Sequence, residues 1–232
     1  MIASVRLNYL GSLLAVFIFW LGTANAQNAL QMRTNYYAVT GSSLREIRRS
    51  LELGRPRRGA APGDGLTVWQ IGWKVSTHRA GNVSRLSTFT TRTDITMTLP
   101  RWTAPTNADP ELVKVWNDYS AALCQHERGH VQLVFATVAE MHTRVKTIPP
   151  AADPEALREQ VEELARGILA AGNQRDRDYD DHTKHGETQG ARFPGARPLR
   201  HQRLQLSVAA PRESAECVFR DSASTGSRAA NR

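Results

Sequence analysis

The chain has 232 residues, 41% of them hydrophobic, and a formal net charge of +8. That length suits one domain, or two small ones, with enough apolar material for a sizeable core. The charge resembles that of a nucleic-acid binder, but its distribution excludes that reading for the folded part: the stretch from Ala191 to Arg232 alone carries +5.

At the N-terminus, Arg6 precedes an apolar run from Leu10 to Leu21, and Ala24-Asn25-Ala26 follows with small residues where a signal peptidase reads. The run is shorter than the roughly 20 apolar residues of a membrane span. Residues 1–26 are therefore expected to be a cleaved secretory signal, giving a secreted or periplasmic protein with no transmembrane span. Residues 27–190 are expected to form the folded domain and 191–232 a basic disordered tail. Cys124 and Cys217 would then meet an oxidising compartment, and the sequence leaves open whether they pair.

Tyr36-Tyr37-Ala38-Val39 reads as a short strand. Ser43, with Glu46 three residues on, opens a helix that Gly54 stops, with Leu44, Ile47 and Leu51 on one side. The stretch from Arg55 to Gly65 reads as a loop. In the next segment Trp69, Ile71, Trp73 and Val75 alternate with more polar neighbours. After a turn at Ala80-Gly81-Asn82, the residues Phe89, Thr91, Thr93, Ile95, Met97 and Leu99 share one face. The two runs make an antiparallel hairpin that Pro100 is expected to end.

Asp109-Pro110 starts a long helix whose apolar stripe includes Leu112, Trp116, Tyr119, Leu123, Val134 and Met141. Asp153-Pro154 starts another, expected to run to about Ala171 with Leu157, Val161, Leu164 and Ile168 inward. The pattern is α+β: a small antiparallel sheet packed on two long helices.

The first long helix carries His126-Glu127-Arg128-Gly129-His130. Histidines four apart project from one face of a helix, where two neutral imidazoles can reach a single zinc ion at about 2.1 Å. Glu127 then lies beside the metal's water as a general base. Both histidines fall on the apolar stripe and point inward. Gly129 is costly inside a helix, by about 1 kcal/mol, so close approach of another backbone or of substrate, or a packing constraint, is expected there.

A catalytic zinc site needs a third protein ligand and an open position. Donors are dense in Tyr179-Asp180-Asp181-His182-Thr183-Lys184-His185-Gly186, just past the expected end of the second long helix. His185 is the first choice and Asp180 the second, either being able to support a ligand instead. Tyr179 is a candidate donor to the oxyanion. His142 falls on the opposite helix face from His126, and His78 and His201 have no supporting neighbours.

At these residues the chain resembles a bacterial family of uncharacterised domains described as predicted secreted zinc-dependent proteases, within the wider zincin-like group. The resemblance runs from about Tyr36 to Ala191. It rests on Tyr37-Ala38-Val39-Thr40-Gly41, Trp69-Gln70-Ile71-Gly72-Trp73, Thr98-Leu99-Pro100-Arg101-Trp102, the His126–His130 motif and the Tyr179–Gly186 block. Asn82 stands where the family often carries a cysteine, so no family disulfide is implied. The resemblance implies a zincin-like fold and zinc-dependent peptidase activity on a peptide or protein substrate, cell-wall peptides included. The alternative is a non-catalytic exported binding or envelope-structural module with a closed zinc site. Nucleic acid is not an expected partner, since that reading rests on the tail alone.

Overall fold

The computed structural model describes residues 28–58 and 61–195. The expected signal segment, Cys217 and the tail beyond residue 195 lie outside the described residues. Strand β1 (Ala29–Val39) leads through helix α1 (Leu44–Gly54) to the two-residue strands β2 (Arg57–Arg58) and β3 (Ala61–Pro62), which pair with each other. The long strands β4 (Leu66–Ala80) and β5 (Val83–Trp102) follow, then helices α2 (Pro110–Arg144) and α3 (Pro154–Thr183).

The α+β class stands, but the main sheet is mixed. Its order is β1-β5-β4, with β4 antiparallel to β5 and β1 parallel to it. β4 and β5 are joined by the two-residue turn Gly81-Asn82, where Gly81 at φ +64° supplies the positive φ that such a tight hairpin needs. β1 reaches β5 from the far side of the chain and aligns parallel along its whole length. It begins seven residues before the expected Tyr36.

Pro100 does not end β5. The pairing with β4 stops at Leu66 opposite Thr98, so β5 has a neighbour on one side only where Pro100 pairs with Tyr37. Proline is tolerated at such an edge position.

The helix starts follow their local chemistry. Ser43 caps α1 by accepting from the Glu46 amide, Asp109 caps α2 through the Glu111 amide, and Asp153 caps α3 through the amides of Glu155 and Ala156. Helix α3 runs 12 residues beyond the expected end at Ala171, taking the Tyr179–Thr183 cluster into its last turns.

Thr91, Thr93, Ile95, Met97 and Leu99 of β5 are all buried, as the alternation predicts. Ile95, Met97 and Leu99 share a core with Ile47 and Leu51 of α1 and with Trp116, Leu123, Val131, Val134 and Met141 of α2. Phe193, three residues into the segment read as tail, is 2% exposed and packs edge-on against Tyr119. Helix α3 packs on both α2 and β4. Among the described residues no helix is long and apolar enough to cross a membrane.

Candidate metal centre

His126, Glu127 and His130 sit on the buried side of α2, each at most 5% exposed. The apolar stripe that buries Leu123, Val131 and Val134 carries them inward. Facing them is the last part of α3, where Asp176 and Asp180 are one turn apart and point the same way.

The imidazole Nε2 atoms of His126 and His130 lie 3.2 and 3.1 Å from Oδ1 of Asp180. The ligand atoms of these three residues are all within 4.8 Å of one another. Tetrahedral ligands at about 2.1 Å from zinc stand roughly 3.4 Å apart, so the three donors have the spacing such an ion requires.

Each imidazole is also fixed at its other nitrogen. His130 Nδ1 is 2.8 Å from Asp176 Oδ1, which the indole Nε1 of Trp69 also approaches at 3.4 Å. His126 Nδ1 is 3.0 Å from Gln189 Oε1. When both Nδ1 atoms carry the proton and donate it, both Nε2 lone pairs face the carboxylate of Asp180, the tautomer a metal needs. The donor set and its outer partners fit a divalent transition ion.

Electrostatics agree. Burial alone would lower the pKa of His130, but the hydrogen bonds and charges of Asp176 and Asp180 raise it to about 10. Burial would raise the pKa of Asp180, yet His126 and His130 hold it well below the usual carboxylate range. Asp176 and Asp180 thus place negative charge around His130, which a metal cation bound there would also meet.

Glu127 projects beside this group. Burial pushes its carboxyl above the ordinary range, against the opposing effects of Thr67 and the two imidazoles. Thr67 Oγ1 donates to its Oε2 at 2.7 Å, and Gly65 lies so close that a Cβ there would stand 2.4 Å from Oε1. Glu127, His126, His130, Asp176, Asp180 and His185 all line one cavity of about 390 Å³.

The structure brings Asp180 into the three-donor group and leaves His185, the first choice from sequence, beside it. The His185 side chain is 59% exposed and its Nδ1 lies 3.4 Å from Asp180 Oδ1. The cause is the end of α3: Lys184 and His185 adopt left-handed conformations, φ +51° and +53°, and turn the chain out of the helix. Gly186 then passes over His126, where a Cβ would come within 2.8 Å of Cγ.

Tyr179 stacks on His126 at 5.1 Å with its plane 11° away. Its hydroxyl donates to the His126 carbonyl at 3.2 Å and accepts from Gln189 Nε2 at 3.2 Å. The hydroxyl is thus engaged on the backbone side of His126, and Tyr179 is not among the residues that line the cavity. It also explains Gly129, since a Cβ there would meet the Tyr179 hydroxyl at 2.1 Å. The approaching group is thus a side chain, the packing alternative, rather than the backbone or substrate that the sequence also allowed.

Four contributors escaped the sequence reading: Thr67, Trp69, Asp176 and Gln189. Thr67 and Trp69 are in phase with the inward residues Ile71 and Trp73 of β4, so a polar residue on an apolar alternation was the available signal. Asp176 is likewise in phase with Leu157, Val161, Ala165 and Ile168. Gln189, in a short 3-10 helix after the α3 terminus, gave none.

Cys124, two residues before His126, is disulfide-bonded.

Across residues 34–186 the sequence matches a family described as bacterial protein of unknown function (DUF922). No curated protein and no solved structure matches the chain.

Proposed function

The chain belongs to this DUF922 family of bacterial proteins, and from the site its own residues build we propose that it is an exported, zinc-dependent hydrolase of peptide amide bonds. The observation that carries the reading is the meeting of two Nε2 atoms and one carboxylate oxygen, with a second, buried carboxylate, that of Glu127, beside them at the wall of an open cavity. His126, His130 and Asp180 would hold the ion. A zinc ion there supplies Lewis acidity, which lowers the pKa of water and polarises a carbonyl.

The protein's own residues do the rest. Glu127 takes a proton from water in the cavity and returns it to the leaving nitrogen. Thr67 holds one oxygen of Glu127, which keeps the other directed toward the cavity. Asp176 and Gln189 lock the imidazoles in the tautomer that leaves Nε2 free. Tyr179 braces His126 from behind. An extended substrate would lie along β4, an edge strand whose first residues adjoin Glu127.

Export is inferred from residues 1–26, and a disulfide at Cys124 suits an oxidising compartment. A closed zinc site in a binding module is the less favoured reading, because three donors gather among the described residues and they border a cavity.

Glu127→Gln tests the mechanism. Zinc content measured by mass spectrometry should stay at the wild-type level while hydrolysis of an unfolded protein such as casein falls by roughly 10²- to 10⁴-fold. Hydrolysis at the wild-type rate in that variant would rule the mechanism out.

A further inference from the structure

Beside Glu127 the cavity has a second wall that the hydrolytic mechanism does not use. It is built by α1, the residue that follows it and the loop leading into β4, and it presents Arg48 and Arg55 around Asp64. Arg48 reaches Asp64 Oδ2 through a terminal nitrogen at 3.1 Å, and Tyr119 donates to the same oxygen at 2.9 Å. Tyr37 donates to the Asp64 carbonyl at 2.8 Å. The carboxylate and its backbone are thus fixed from three sides.

Arg55 is held less completely. Its Nε stands 3.5 Å from Asp64 Oδ1, and both atoms are buried without a hydrogen-bond partner. Glu52 meets both arginines from the solvent side, but it is 55% exposed and does not line the cavity. On the cavity side, therefore, two guanidinium groups face one carboxylate. Lys184 and Arg192 line the same cavity, Arg192 paired with Glu187.

The distance to the chemistry is short. Asp64 precedes Thr67 by three residues, so their Cα atoms are at most about 11 Å apart, and Thr67 is bonded to Glu127. An extended substrate covers that span in two or three residues.

We propose that Arg48 and Arg55 form a carboxylate-binding subsite that selects peptides with a negative charge within about three residues of the bond presented to Glu127. The ligand chemistry is a carboxylate, from an acidic side chain or from a free C-terminus. Guanidinium suits it because its planar fork pairs with both oxygens. The partly buried side chains of Arg48 and Arg55, 25% and 16% exposed, lose little freedom when they bind. The proposal rests on reading the cavity as a peptide site, but it does not require that the peptide be cut.

The test uses zinc-loaded Glu127→Gln protein and fluorescently labelled octapeptides in matched pairs, read by anisotropy. In one set Glu replaces Gln at a single position, and in the other a free C-terminus replaces its amide. A carboxylate-bearing peptide should bind roughly tenfold or more tightly than its neutral twin, with the set that shows it naming the source. Arg48→Met and Arg55→Met should each remove most of that difference. Arg55→Lys, which keeps the charge and most of the packing, should retain the fold and zinc content but lose several-fold in preference. Equal binding of the twins, binding of neither, or a preference that survives both methionine variants would overturn the subsite. A preference that stands while wild-type protein cuts neither twin would support the subsite and count against the hydrolytic reading alone.

Discussion

The inward stripe of α3 has two halves with one spacing and opposite chemistry. In the first half Leu157, Val161, Ala165 and Ile168 are apolar and at most 2% exposed. From Gly172 through Asp176 to Thr183 the same face stays buried, but its side chains are polar or absent. The helical period decides where a residue points, while its chemistry decides what that direction is used for. Burying an aliphatic side chain stabilises the fold by roughly 1.5–3 kcal/mol. Burying Asp176 costs desolvation that its bonds to His130 and Trp69 only offset. One half of the helix thus contributes stability and the other holds a site, and substitutions in each should affect different measurements.

The largest stability change is expected in the apolar half. Leu157 is fully buried, and Leu157→Ala should lower unfolding free energy by about 2–5 kcal/mol in urea titrations. Zinc affinity of the folded fraction should not change. A parallel loss of zinc affinity would show that the two halves are not separable.

The polar half should respond the other way. Asp180→Ala removes one of three donors, so zinc affinity by chelator competition should fall by more than the roughly 10- to 100-fold cost of losing an outer partner. The helical circular dichroism should remain. His185→Ala should keep one zinc per chain, since its ring is largely exposed and outside the donor group. Asp176→Asn keeps the shape and an acceptor for His130 but loses the charge, and a weakening of roughly 10- to 100-fold is expected. If His185→Ala proved the more damaging of these substitutions, Asp180 would not be the third ligand.

This division also explains how much of the molecule was legible in sequence. Leu157, Val161, Leu164 and Ile168 announced the first half of α3 because apolar residues at helical spacing are the strongest local signal. The helix was expected to stop near Ala171 because that signal fades where Asp176 and Thr183 replace aliphatic residues. The geometry linking His126 and His130 follows from spacing within one helix, so it could be read directly. The choice between Asp180 and His185 depended on where α3 ends, which is set by the left-handed residues Lys184 and His185 and has no counterpart in hydrophobic periodicity. The parallel placement of β1 was equally silent, because a strand's pattern records which face is buried and not which neighbour it joins.

The boundary between the halves offers the smallest effect and the most specific test. Gly172 lies against Thr137 of α2, where an added Cβ would come 2.6 Å from Oγ1 and 2.8 Å from Cγ2. Thr137 cannot turn aside freely, because its hydroxyl donates to the Leu133 carbonyl at 2.8 Å and accepts from Arg175 at 3.1 Å. Gly172→Ala gains about 1 kcal/mol of helix propensity and meets an overpacking cost of roughly 1–3 kcal/mol, so a net loss near 1 kcal/mol is expected. In a Thr137→Ala background the two closest contacts are gone and a single one with Cβ at 3.3 Å remains, so the same substitution should become stabilising. A double-mutant cycle in urea reads that change of sign directly. If Gly172→Ala stabilised the otherwise unaltered protein, α2 and α3 would not be in tight contact at this level, and Asp176 and Asp180 would no longer be held against the histidines by packing from below.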